Sequence, residues 1–120
     1  MVDELIPADL RDFILRHIDS VSQWEALQLL RANPADAWDV SKVARRLYAS
    51  DGEIAELLAR LCQGGLLRSN NGLFRYDGAS AAQRAAIDRL AAIYSRHLIP
   101  VTNMIHDKPP RIRRKFGKDP

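Results

Sequence analysis

One cysteine in 120 residues, Cys62, excludes a disulfide within the chain. No apolar run comes near the roughly 20 residues needed to span a bilayer, so the sequence holds no transmembrane candidate. The opening residues MVDELIPADL have neither the basic nor the apolar segment of a secretory leader, and these absences together predict a cytoplasmic protein. His17, His97 and His106 lie far apart, with no Cys or carboxylate cluster at ligand spacing, so no metal site is expected. Gly64-Gly65 lacks both the GxGxxG spacing and the lysine of a phosphate loop, and no Ser, His and carboxylate arrangement stands out. The chain is read as a non-enzyme that needs no cofactor.

The whole chain carries a modest net charge of +3, but the surplus of positive charge is local. Residues 107 to 120 carry six cations against two carboxylates, a net +4 that exceeds the +3 of the whole chain and leaves residues 1 to 106 at −1. A basic tail, with Arg111, Arg113, Arg114 and Lys115 at its centre, therefore follows a nearly neutral body. Such a tail binds nucleic acid, an anionic membrane surface or an acidic protein, or serves only as a solubilising disordered end. Phe116 alone among these cations is too little aromatic surface for the stacking that single strands require.

What is present is the composition of a globular domain. Hydrophobic residues at 47% with 28% charged residues give enough apolar surface for one core, and the length fits about one domain. ADLRDFILRHI spaces Leu10, Phe13 and Ile14 as a short helix after Pro7. Ser20 and Gln23 have capping-box spacing ahead of Val21, Trp24, Leu27, Leu29 and Leu30, and Asn33-Pro34 stop that helix. Trp24 and Trp38 are read as packing aromatics, and Trp38 stands where a hydrophobic staple fixes the angle at which the chain enters the next helix. Asp39 caps a segment whose Val40, Val43, Ala44 and Leu47 form one stripe, leaving Lys42, Arg45 and Arg46 elsewhere. After a link of a residue or two, Ser50 and Glu53 repeat the box before Ile54, Leu57, Leu58 and Leu61, with Gly64-Gly65 as the stop.

Asn71-Gly72, flanked by Leu66, Leu67, Leu73, Phe74 and Tyr76, is a tight hairpin turn. Ser80 and Gln83 then open a long helix in which Ile87, Leu90, Tyr94, Val101 and Met104 fall at heptad positions. Pro100 predicts a kink or break near His97.

Two angled helices ending in GLL, an Asn-Gly hairpin and a further helix resemble a winged helix-turn-helix of the MarR-like and ArsR-like kind, over roughly residues 20 to 78. The resemblance implies a mainly α fold with a small β-hairpin. It comprises a winged domain over 1–78 that includes an N-terminal helix, a long C-terminal helix over 79–106 and the basic tail over 107–120. It further implies a small bacterial-type DNA-binding regulator. Its nucleic-acid contacts would be Lys42, Arg45 and Arg46, Ser50 and Arg60 on the recognition helix, Arg68, Asn70 and Arg75 on the wing, and Arg111, Arg113, Arg114 and Lys115 in the tail. The helix seam Ile87, Leu90, Tyr94, Val101 and Met104 would pair with Leu10, Phe13 and Ile14, either within one chain or across a homodimer.

Against a DNA reader stands the recognition helix itself. Between Ser50 and Cys62, Asp51, Glu53 and Glu56 outnumber Arg60, a net −2 where a phosphate backbone would approach. The alternative expectation is a winged-helix module that docks another protein and binds no DNA. Each arginine taken singly is equally well explained as solvated or paired with a carboxylate. Cys62 is read as a small buried hydrophobe rather than a redox sensor.

Overall fold

The computed structural model describes residues 6–77 and 79–107. Within them the chain runs α1 (Ala8–His17), α2 (Val21–Ala32), α3 (Val40–Leu47), α4 (Asp51–Gln63), β1 (Arg68–Asn70), β2 (Leu73–Arg75), α5 (Ala81–Arg96) and α6 (Leu98–Asp107). The fold is mainly α with one antiparallel hairpin, and no described helix is long and apolar enough to cross a membrane.

The helices begin where the sequence supplies an oxygen for an unpaired first-turn N–H. Ser20, Asp39, Ser50 and Ser80 accept from the backbone N–H of Gln23, Lys42, Glu53 and Gln83 respectively. Only at Ser80 is the box reciprocal, because the Gln83 carboxamide also accepts from the Ser80 N–H. At the first site Gln23 is diverted. Its Oε1 accepts from Asp19 N–H and its Nε2 donates to His17 O, both at 2.9 Å, so this 2% exposed amide closes the corner between α1 and α2. Spacing alone does not reveal that diversion, because it depends on where α1 ends.

The core is the meeting of the apolar stripes. Trp24, Leu27 and Leu30 of α2 face Ile54, Leu58 and Leu61 of α4, while Leu10 and Ile14 of α1 face α5 and α6. Burial of each such side chain contributes about 1.5–3 kcal/mol, which outweighs any single surface contact in the molecule. Helix α4 stops where Gly65 turns left-handed at φ 79°, allowing Leu66 N–H to reach back to Leu61 O. The Asn71 and Gly72 φ angles of 54° and 77° are those of the expected hairpin turn, pairing Arg68 with Arg75, Ser69 with Phe74 and Asn70 with Leu73.

The link between α3 and α4 is Tyr48, Ala49 and Ser50, longer by a residue than the spacing implies. The C-terminal helix breaks at His97, as Pro100 demands. Pro100 has no N–H to continue α5, but it fits the first turn of α6, where that N–H has no intrahelical partner anyway.

The heptad seam is filled from within the chain. Ile87, Leu90 and Val101 are fully buried against their own core, and Tyr94 and Met104 pack partly buried beside them. Tyr94 meets Trp24 edge-on at 5.9 Å between ring centroids. The dimerisation expected of this seam is thus matched here by packing within one chain, the other of the two pairings expected for it. The same spacing serves α1 and α2 of the same protomer, and a second copy would reach it only if α5 and α6 left their core. The ion pairs Asp9–Arg89 and Arg31–Asp88 also tie α5 to α1 and α2, but both are exposed, so the apolar seam holds the helix. Leu90→Ala should accordingly cost about 2–5 kcal/mol in chemical denaturation, with a midpoint that does not move with protein concentration. A concentration-dependent midpoint would instead place Leu90 between subunits.

Candidate nucleic-acid interface

Trp38 contacts both the hairpin and the cations of α3. Its N–H donates to Phe74 O at 2.9 Å and its carbonyl accepts from Phe74 N–H at 2.8 Å, so the segment before α3 adds a one-residue third strand to the hairpin. The Trp38 side chain, almost wholly buried, lies under the α3 cations. Lys42 Nζ is 4.4 Å and the Arg46 guanidinium 5.6 Å from the ring centroid. Such contacts are worth about 0.5–1 kcal/mol at exposed sites and hold both charges beside the hairpin without neutralising them.

From the other side Arg75 Nη1 donates to Ala35 O at 3.1 Å, fastening β2 to the same loop. Arg68 stands directly opposite Arg75 in the hairpin, on the face that Phe74 turns away from. Like charges directly opposite one another destabilise a strand pair. An exposed ion pair from Arg68 to Asp77, at 2.9 Å, relieves this only in part. Arg45, exposed on the α3 face between Lys42 and Arg46, has no partner among the described residues. Lys42, Arg45, Arg46, Arg68 and Arg75 thus belong to two elements that one pair of backbone hydrogen bonds joins. Asn70, exposed in β1, adds an amide beside the turn.

Other expected contacts are not part of this group. Ser50 Oγ is occupied as the α4 cap, at 3.2 Å from Glu53 N. Arg60 is turned toward α2, bonding Asp19 at 3.3 Å and Glu56 at 3.2 Å, with Arg60 and Asp19 side chains only 23% and 19% exposed. Its spacing on α4 is right for a groove-facing residue, but Asp19 at the α1–α2 corner competes for it. Arg111, Arg113, Arg114 and Lys115 lie outside the described residues.

On the exposed side of α4, Asp51 accepts from Ser41 Oγ at 2.9 Å, linking the two helices, and Glu53 points to solvent. The net −2 read from the sequence therefore persists as an acidic surface beside the basic one. Shallow clefts of about 250 and 260 Å³ flank Arg60, smaller than the usual small-molecule pocket of roughly 300–1,000 Å³. The Cys62 thiol is half-buried, and loss of solvation raises its pKa despite a bond to Ser69, which keeps it protonated at neutral pH. Among the described residues no group of three His, Cys, Asp or Glu side chains is placed to hold a metal.

No protein-family model, curated protein or solved structure matches this chain.

Two residues of this surface are less evident in the sequence. Trp38 is legible as a staple but not as a third strand or a cation platform. Tyr48, 96% exposed, is an aromatic in a left-handed link, a position that ordinarily selects glycine or asparagine. Arg60→Ala should lower stability by about 1 kcal/mol in urea, the loss of a partly buried bridge. Because Arg60 faces α2, the same variant should leave any affinity for polyanions unchanged, as a heparin-column elution profile would show.

Proposed function

We propose that this protein is a winged-helix DNA-binding protein, a transcriptional regulator that grips duplex DNA chiefly through its phosphates. The observation that carries the reading is the Trp38–Phe74 backbone pair, which joins the cations of α3 to those of the hairpin. In this arrangement α3 and α4 form the helix-turn-helix, β1 and β2 the wing, and Trp38 the short strand that completes its sheet. Lys42, Arg45 and Arg46 meet one stretch of backbone while Arg68 and Arg75 meet another, so the protein is oriented on the duplex by two clamps. The opposed arginines of the hairpin support the reading further, since a phosphate between them would turn a repulsion into two attractions.

Phosphate contacts fix position but carry no sequence information. Arg60 is engaged by Asp19, and the exposed side of α4 offers Asp51, Glu53, Ala55, Glu56 and Ala59, which leaves little for direct reading of base edges. Modest discrimination between sequences follows, with affinity set by charge. The acidic α4 surface favours a second reading, a module that docks a protein through α4. The two differ in where charge reversal acts: on α3 for DNA, on Glu53 and Glu56 for a protein partner.

Binding of a labelled duplex, followed by fluorescence anisotropy over a range of salt concentrations, tests the DNA reading. Each phosphate contact contributes about 0.9 to the slope of log K against log salt, so the variant K42Q/R45Q/R46Q should lose roughly 2.5–3 from that slope while its circular dichroism spectrum is retained. An unaltered slope in the variant, or no binding by the natural sequence at low ionic strength, would overturn it.

A further inference from the structure

Tyr48 is the C-cap of α3, with φ 57° and ψ 45°, and its N–H bonds back to Ala44 O. Among non-glycine residues this left-handed conformation is costly, and bulky side chains are especially uncommon in it. The turn itself closes the helix, since it lets Ala49 N–H reach Ala44 O at 3.0 Å, but the tyrosine side chain gains no contact among the described residues that would favour it there. The ring is 96% exposed, and the hydroxyl has no hydrogen bond among the described residues. A glycine would form the same cap without strain, so the fold gives no reason for a tyrosine here. A bulky side chain kept in such a turn, where glycine would serve and the ring is exposed, is a pointer to an external contact.

The position indicates what the contact is. Tyr48 follows Arg45 by three residues and Arg46 by two, so its Cα lies within about 7.6 Å of that of Arg46 along the chain. It also opens the three-residue link Tyr48, Ala49 and Ser50 that leads into α4. Tyrosine is one of the uncharged donors that proteins direct at phosphate oxygens, and this one stands exposed just after two exposed arginines in the chain.

We infer that Tyr48 is a contact residue for duplex DNA, its hydroxyl donating a hydrogen bond to a phosphate oxygen next to those held by Arg45 and Arg46. This rests on the DNA-binding reading above. The contact is independent of base sequence and adds to the affinity supplied by the cations.

Three forms of the full chain, the natural one, Y48F and Y48G, test it by anisotropy with two duplexes of unrelated sequence and by thermal denaturation. Y48F removes only a hydroxyl that has no internal partner and should fold unchanged. Y48G should melt at or above the natural temperature, since it relieves the left-handed residue. Both should bind about tenfold more weakly, equally on the two duplexes, as expected for loss of a hydrogen bond to a charged oxygen. Natural affinity in Y48F and Y48G, with the natural chain binding, overturns the role of Tyr48 and leaves the DNA reading standing. A loss in Y48G alone also overturns it, because the hydroxyl is then not the contact. If the natural chain binds neither duplex, the DNA reading has failed and this inference falls with it.

Discussion

The two hydrogen bonds between Trp38 and Phe74 are the constraint on which the rest of the surface depends. An isolated two-stranded hairpin is marginal in water, and this one has mostly exposed strands of three residues each. The bridge gives β2 a partner on its second edge, and that partner is anchored because the Trp38 side chain is buried. The same residue thereby performs two tasks. Its backbone fixes the hairpin against the body, and its ring carries Lys42 and Arg46 on its face.

Much of the fold is legible in the sequence because it is written in local chemistry. The oxygens of Ser20, Asp39, Ser50 and Ser80, the left-handed Gly65 and the Asn71-Gly72 turn each act within a few residues, and each is found where its spacing places it. The break at His97 follows from one proline. What spacing does not show is which partner an apolar stripe or a polar side chain selects when more than one is in reach. The seam of Ile87, Leu90 and Val101 has the period of a coiled coil, yet that period equally serves a helix lying on the core of its own chain, and burial there is complete. Gln23 and Arg60 are further instances. Gln23 leaves its reciprocal cap for His17 O and Asp19 N, and Arg60 leaves the open face of α4 for Asp19.

The candidate surface is legible in part for the same reason. Lys42, Arg45, Arg46, Arg68 and Arg75 stand out as cations off the apolar stripes, but the backbone bridge from Trp38 to the hairpin is a long-range contact that no local pattern announces. Ser50 and Arg60 were plausible contacts by position on α4 and are engaged otherwise, because a cap and a partly buried bridge form within the chain itself.

The charge of α4 is the apparent obstacle to a polyanion, and it has a sufficient local cause. Asp51 and Glu53 lie in the first turn, where the helix dipole favours negative charge, and Asp51 also joins α4 to Ser41 of α3. These carboxylates obey the rules of helix stability and call for no functional explanation. Arg68 opposite Arg75 departs from the usual strand pairing, with partial compensation from Asp77, and Tyr48 puts an exposed aromatic where a left-handed cap ordinarily selects glycine or asparagine. Local rules are expected to fail where a surface is shaped for something outside the chain. Both departures lie on or next to elements that carry exposed cations, the hairpin in the first case and the end of α3 in the second.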